Sequence, residues 1–479
     1  MSVKNSIFYN VLLAISQVFF PLITFPYLAR TLGPEHVGAL NFAESMAKYF
    51  VMLAALGIPI YGIREIAKLQ NQLAERTKLF TEIFTINLIC TIGLSVLFFA
   101  SIHFVPQLIE EKELFYWTVM YFVLQVFYLE WFFNGMDQFR FIAIRQFIIR
   151  FFFIIFVFLL IKSKLDYVNY MRMQVGLNVF IAILNYNTLR KLITIDNNIY
   201  KNLNLRKHLR PLLYLFLTIF SISIYFSLDT ILLGFLANNE SVGYYSTALK
   251  LNKLIIAVFS AITVAIFPSL IGLYQNGEIE KFKEYIRQVF FVLISISIPA
   301  VTILILCAQE IVHLLFSTSF DRAILPLQIT APLILIVSLS SIFGFQILSA
   351  FSKDRQILYS AIIGMVISII LSLLLVPKFQ EVGEAITILL TELSVCLAFI
   401  YYTKQYFKIG GLTKMFVTAL VSVIPYILFA LIFKTIIADA VLRLTTIVII
   451  SAVWFFIYHM FLIKESYIKV YINDFIERK

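Results

Sequence analysis

Charge is what this sequence has least of. Only 14% of its 479 residues are charged while 61% are hydrophobic, against about 25% and about 45–50% in a soluble domain. A water-soluble fold with one core could not hide that much apolar surface. Cysteine is scarcer still: Cys90, Cys307 and Cys396 are odd in number and sit in or beside apolar runs, which speaks against a disulfide framework or a metal cage. The histidines His36, His103, His208, His313 and His459 are scattered, without metal-ligand spacing and without a serine or cysteine arrangement around them. Large polar insertions are missing too. The longest segment expected on the outer side, about Ala308 to Ile324, is too short for a folded catalytic domain, so no catalytic residue, metal or cofactor is expected.

What remains is a series of long apolar runs. A hydrocarbon core about 30 Å thick needs about 20 apolar residues per helix, and the sequence offers about fourteen such runs. Six lie at roughly Ile7–Ala29, Gly38–Tyr61, Leu79–Ile102, Leu114–Asn134, Gln146–Ile161 and Tyr167–Leu189. Six more lie at roughly Leu212–Leu236, Tyr244–Leu273, Gln288–Cys307, Leu325–Phe351, Ile357–Val376 and Val382–Thr403, and two at Met415–Phe433 and Leu444–Ile463. The first run has one early lysine, Lys4, and no small-x-small cleavage site, so it is expected to be a retained span rather than a signal peptide. The expected fold is an all-α integral membrane protein.

The net charge of +11 invites a nucleic-acid reading, but the positions of the charges give another. Most of the 38 lysines and arginines fall in alternate loops and in the termini, the pattern of loops retained in the cytoplasm. Both termini are therefore expected on the cytoplasmic side, and no nucleic-acid partner is expected. The longest of these loops carries Arg190, Lys191, Lys201, Arg206, Lys207 and Arg210. It divides the chain into an N-terminal lobe 1–189, a linker 190–210 and a C-terminal lobe 211–403, followed by two extra helices over 411–463 and a cytoplasmic tail 464–479. An internal repeat supports the cut. The shift that carries Glu35 onto Glu240 also carries Val37, Gly38, Ala43 and Lys48 onto Val242, Gly243, Ala248 and Lys253. Equal orientation of the two copies implies a parallel repeat about an axis along the membrane normal.

An ionisable side chain inside a span costs about 2.5–3.5 kcal/mol on insertion scales, and so marks a functional position by default. Asn41, Glu44, Ser45 and Lys48 share one face of the second span, with Glu44 one turn before Lys48, the favourable order for an ion pair. Ser246, Lys250 and Lys253 share a face of the eighth span, which carries no acidic partner. Inward-facing cations between two lobes would attract an anionic substrate; side chains this near a span end would equally snorkel to the interface. Arg30 and Arg64, at opposite ends of the first two spans, extend the surface or anchor it. Asp229 follows Tyr225 by one turn and precedes Gly234; it either titrates and couples transport to protons or pairs with a lysine of the other repeat. Glu392 and Glu130 are weaker candidates. Gln174, Asn178 and Asn185 form a polar stripe on the sixth span, read as glue between helices or as a cavity lining. Prolines at Pro21, Pro26, Pro59, Pro268, Pro299, Pro332 and Pro425 are expected to bend helices.

Particular motifs carry a resemblance. Trp131-Phe132-Phe133-Asn134-Gly135, the segment from Ser223 to Gly234 with Asp229 inside it, Val242-Gly243-Tyr244-Tyr245-Ser246, Ala29-Arg30-Thr31-Leu32-Gly33 with Val37-Gly38, and Phe267-Pro268 resemble the polysaccharide flippases that export O-antigen and capsule repeat units. That family belongs to the superfamily of multidrug and toxin extrusion transporters and lipid II flippases. The resemblance implies two pseudo-symmetric six-helix lobes around a central cavity, alternating access, and an undecaprenyl-diphosphate-linked glycan as substrate in the bacterial cytoplasmic (inner) membrane. A cationic cavity is a feature of the family, and Arg30, Lys48, Lys250 and Lys253 are the positions that match it here; Asp229 or Glu44 would be the coupling acid for a proton or sodium gradient. Membrane lipids, and a polymerase and glycosyltransferases of polysaccharide assembly, are the implied partners. Many such flippases stop at twelve helices, and the extra pair here is shared with lipid II flippases. The competing readings are a lipid II flippase, an exporter of drugs or organic cations, which should show an acidic cavity, and a membrane polysaccharide polymerase, which should carry large outer loops.

Overall fold

The computed structural model describes residues 3–194, 203–406 and 410–462, with side chains described for most of them. Every regular element among the described residues is helical. By length and composition, six of these helices can cross a membrane, or eight if each of two bent pairs is one span. Helix length shows that several hold more than one crossing. Val3–Ala55 has 53 residues and Asp354–Thr403 has 50, so at 1.5 Å per residue each runs to about 75–80 Å, more than twice a bilayer core. Both are broken where such a chain must turn: the first at Gly33 (φ 77°), the second at Gln380 (φ 49°). The described helices therefore accommodate the expected number of spans in an all-α multi-pass membrane protein.

Contacts divide the chain into two compact units, 1–243 and 244–479. In the first, the Val3–Ala55 limbs are followed by Ile58–Lys68, bent by 44° from the helix before it, then Leu73–Phe104, Lys112–Leu124, Glu130–Gly135, Phe139–Leu160, Tyr167–Leu189 and Arg206–Leu236. The bend after Ala55 sits at Leu56 (φ 44°) and Gly57 (φ 81°). Pro59 does not kink a continuous helix as the sequence suggested; it starts the next one, a position whose missing N–H would be unpaired in any case. The fourth span is likewise not one helix. It breaks at Leu129 (φ 52°) before the short helix that carries Trp131 to Gly135.

That short helix builds the core of its end of the unit. Phe80, Trp131, Phe132, Phe133, Ile66 and Ile83 are buried together, with Phe80 stacked on Trp131 at 5.7 Å and edge-on to Phe132 at 4.9 Å. At the other end, the two glycines matched by the internal repeat face each other's turns. A Cβ on Gly38 would lie 1.6 Å from the Asn239 carbonyl oxygen, and one on Gly243 would lie 1.9 Å from that of Pro34. Only a residue without a side chain allows that backbone approach.

The second unit contains most of Asn239–Gln275, then Ile279–Leu306, Ile324–Thr330, Leu333–Ser340 continuing as a π-helical stretch Ser341–Leu348, Asp354–Thr403, Leu412–Ser422, Ile424–Ile436 and Ala440–Ile457. Polar contacts fasten these helices: Arg322 Nε donates to Glu381 at 2.8 Å, Arg443 Nε donates to Glu310 at 3.0 Å, and Asn252 Nδ2 donates to Thr330 at 2.7 Å. The tail 464–479 and residues 195–202 of the segment expected to link two lobes lie outside the described residues.

Candidate functional site

The second limb of the first helix and the Tyr167–Leu189 helix bring a charged cluster together in the first unit. Glu44 is half-buried and accepts a hydrogen bond from Tyr170 Oη at 3.2 Å; the phenol in turn accepts from Gln174 Nε2 at 3.2 Å. Lys48 stands one turn on, its Nζ 4.0 Å from Glu44 Oε2, with its side chain 69% exposed. A pair this open contributes about 0–1 kcal/mol, so the ammonium is held loosely. Asn41, on the same face, turns its amide back to the Val37 carbonyl at 2.8 Å.

Asp229 is buried at 5% exposure and accepts from the Thr230 backbone N–H at 2.7 Å. Its carboxylate also acts electrostatically on Tyr49, on the limb that carries Glu44 and Lys48. The side chain of Tyr225, one turn earlier, lies outside the described residues. Gly234 packs as a close-approach glycine should: a Cβ there would come within 2.4 Å of the Phe42 ring. Arg30 is exposed just before the Gly33 break.

In the second unit Ser246 is buried, Lys250 half-buried and Lys253 exposed along one helix. Arg30, Asp229 and Lys250 each have an interaction partner.

Three polar constellations were missed in the sequence. The first gathers around Arg145, which the expected span boundary at Gln146 placed in a loop. The helix runs Phe139–Leu160 and buries Arg145 to 2% exposure. Its guanidinium donates to Glu130 Oε1 at 2.9 Å and to Asn185 Oδ1 at 2.5 Å, and lies 5.0 Å over the Tyr128 ring. Asn185 donates to the Phe127 and Tyr128 carbonyls at 2.8 and 2.7 Å, bridging the backbone at the Leu129 break. Glu130 thus belongs to a structural ion pair, and the Asn185 stripe joins helices as glue would.

The second centres on Glu82, fully buried. Its carboxylate accepts from His208 Nε2 at 2.9 Å, Lys207 Nζ at 2.7 Å and the Asn204 N–H at 2.9 Å, while His208 Nδ1 pairs with Tyr61 Oη at 2.7 Å. The third is Arg76, buried and bonded to the carbonyls of Gln70 and Leu192. Arg64 pairs with its neighbour Glu65 at 2.9 Å on the surface, as an anchor at the end of a span would. No group of histidine, cysteine and carboxylate that could hold a metal occurs among the described residues.

Nothing in these clusters resembles a nucleophile with its base. Ionisable side chains and helix breaks inside spans are features from which membrane proteins build transport paths. Comparison with known proteins points the same way. The chain is 25% identical over 406 residues, 85% of its length and 97% of the other, to an Escherichia coli (strain K12) protein described as "Putative O-antigen transporter". Among solved structures, Lipid II flippase MurJ in its inward closed conformation superposes with a TM-score of 0.72 at 13% identity, covering 98% of this chain and 100% of that one. An inward-facing multidrug resistance MATE family transporter of the MOP superfamily gives 0.63 at 14% identity over 83% and 96%. At such identities these two structures establish a shared fold. The sequence pattern of the family described as "Polysaccharide biosynthesis protein" matches residues 3–273, more than half of the molecule, and the chain belongs to that family.

Proposed function

We propose that the protein is a flippase that carries undecaprenyl-diphosphate-linked oligosaccharide repeat units from the inner to the outer leaflet of the bacterial cytoplasmic membrane, for O-antigen, capsule or exopolysaccharide assembly. The observation that carries this reading is the family match over residues 3–273 on a fold shared with a lipid II flippase. The loosely held Lys48, with Arg30, Lys250 and Lys253, binds the diphosphate and glycan, and no covalent step is needed. Both termini lie in the cytoplasm. Two lobes, 1–189 and 211–403, alternate access around the substrate, while its lipid tail stays in the bilayer and the helices over 411–463 extend the second lobe. Glu44 or Asp229 couples the cycle to a proton or sodium gradient; one charge moved through 100 mV supplies about 2.3 kcal/mol. A polymerase and glycosyltransferases act before and after it. Lipid II is the second reading, favoured by the TM-score of 0.72, because the same cations would hold its diphosphate.

The test uses vesicles containing purified protein and a fluorescent polyprenyl-diphosphate oligosaccharide, with leaflet exposure followed over time. Wild type should translocate it, and Lys48→Ala with Lys253→Ala should abolish translocation while leaving the folded fraction unchanged. Equal transport by the variant would overturn the cation assignment. Absence of transport by wild type under every imposed ion gradient, with a labelled drug cation moved instead, would replace the flippase with an exporter.

A further inference from the structure

A groove of about 380 Å³ runs along the first unit between Leu73–Phe104 and Tyr167–Leu189, away from Glu44 and Lys48 in sequence and lining. Thr77, Thr81, Phe84 and Leu88 form one wall and Ala182 and Tyr186 the other, with Phe127 at one side and Ile193 and Thr194 across one end. Tyr186 is 55% exposed and Phe127 37%, so the groove opens outward rather than into the core. From Thr77 to Leu88 it extends about 17 Å, half the roughly 30 Å hydrocarbon core and hence the depth of one leaflet. Its walls are mostly apolar along that length, so a hydrocarbon chain can lie between the two helices.

The end closed by Ile193 and Thr194 is also the charged end. Thr194 N–H donates to Thr77 Oγ1 at 3.2 Å, and Arg76, next to Thr77, donates to the carbonyl of Leu192 at 2.5 Å. Arg76 is 7% exposed, its Nε has no hydrogen-bond partner, and no carboxylate pairs with it among the described residues. Both terminal nitrogens of Arg76 are taken up by backbone carbonyls and the residue does not line the groove, so it braces this end rather than meeting a ligand. Arg190 and Lys191 are exposed immediately before Leu192. A one-leaflet apolar slot with two exposed cations in the chain between its lining residues Leu189 and Ile193 matches one class of ligand, an acyl chain with an anionic head.

We propose that this groove is a binding site for an anionic phospholipid, with one acyl chain between the two helices and the phosphate against Arg190 and Lys191. In the proposed orientation that end faces the cytoplasm, where anionic lipids give the leaflet its negative surface and basic pockets between helices collect their head groups. The bound lipid ties the chain after Leu189 to the Leu73–Phe104 helix. The site is independent of the substrate assignment above.

Trp131 provides the reporter, since its ring stacks at 5.7 Å on Phe80, which lines the groove. With Trp117→Phe and Trp454→Phe leaving it alone, the full-length protein is placed in phosphatidylcholine vesicles containing increasing fractions of phosphatidylglycerol brominated on its acyl chains, or of brominated phosphatidylcholine. Phosphatidylglycerol should quench Trp131 saturably and at a lower mole fraction than phosphatidylcholine, by about fivefold for each cation engaged. Ala182→Phe, which fills the slot, should remove the saturable component. Arg190→Gln with Lys191→Gln, both at exposed positions, should reduce the preference while retaining the folded state. Equal quenching by both lipids, or indifference to Ala182→Phe, would overturn the proposal. Reversal of the quenching by stoichiometric polyprenyl diphosphate would also overturn it, by assigning the groove to the tail of an isoprenoid carrier.

Discussion

The buried Glu82 gives the sharpest quantitative expectation. Its carboxylate has no exposure and meets an imidazole, an ammonium and a backbone N–H, at 2.9, 2.7 and 2.9 Å. Glu82→Gln keeps the shape and the neutral bonds but removes the charge. Bonds to charged groups are worth about 1.5–3 kcal/mol and neutral ones about 0.5–1.5, so the loss is about 1 kcal/mol at His208. The loss at Lys207 is smaller, because that side chain is 47% exposed and screened by water. Glu82→Leu should cost about 3–5 kcal/mol, since it leaves His208, 2% exposed, without its partner in a dry site. Unfolding free energies in mixed micelles for Glu82→Gln, His208→Phe and the double variant close a cycle. A direct contact should give a coupling of about 1–3 kcal/mol. Additivity within about 0.5 kcal/mol would refute the claim that this network fastens the start of the Arg206–Leu236 helix to Leu73–Phe104.

The ion pair at the Leu129 break should behave asymmetrically. Glu130→Leu strands an arginine whose side chain is 1% exposed and should cost about 3–5 kcal/mol, whereas Arg145→Leu leaves a carboxylate that is 37% exposed and can hydrate, so its cost in the same unfolding assay should be smaller; the reverse order would sink the argument. Gly38→Ala and Gly243→Ala force a Cβ within 2 Å of a carbonyl oxygen and should each destabilise by about 1–3 kcal/mol or more. Gly176→Ala meets nothing within 4 Å and should stabilise its helix by about 0.5–1 kcal/mol; thermal melts that fail to separate the two signs would contradict the close approach. Glu111, in the turn before Lys112–Leu124, has its carboxyl pushed up by burial and by neighbouring Glu35 and Glu110, against the hydrogen bond from Tyr167 at 2.7 Å and the charge of His36. A raised acid is stabilising when protonated, so its contribution should be present below the ordinary carboxylate range and be lost as pH rises through the raised value. Melting temperatures of Glu111→Gln should lack that part of the wild-type pH dependence, and unchanged curves would remove Glu111 as its source.

The membrane-spanning character was legible because repeated apolar runs of about 20 residues match the thickness of a hydrocarbon core and exceed what one water-soluble core can bury, and the repeat glycines Gly38 and Gly243 were legible as a pair. Their reason, mutual backbone contact at one seam, appears only in three dimensions. Helix breaks divide into two kinds. The one at Gly33, beside Pro34, follows from a residue that accepts positive φ, and the bend after Ala55 does so at Gly57, with Leu56 carried into positive φ beside it. Those at Leu129 and Gln380 place ordinary side chains in the same region, a strained conformation that persists only where surrounding structure imposes it. At Leu129 the imposing structure is visible in Asn185, which holds the carbonyls of Phe127 and Tyr128.

The candidate site was legible to the extent that its partners shared a helix. Glu44 and Lys48 lie one turn apart, and their pairing follows from periodicity alone. Tyr170 meets Glu44 from 126 residues away, and His208 meets Glu82 across the same separation; no periodicity reports such pairs. Hydropathy also misplaces charges of this kind, because it ends a span at the first arginine. Arg145 was set outside its helix for that reason, although burial with Glu130 and Asn185 makes it part of the interior. Charge in a membrane protein is thus read correctly from sequence at the surface, where water tolerates it unpaired, and misread inside, where only a partner from elsewhere in the chain makes it tolerable. Arg76 is the exception that tests this rule: it is buried, no carboxylate pairs with it among the described residues, and its guanidinium is answered by the backbone carbonyls of Gln70 and Leu192.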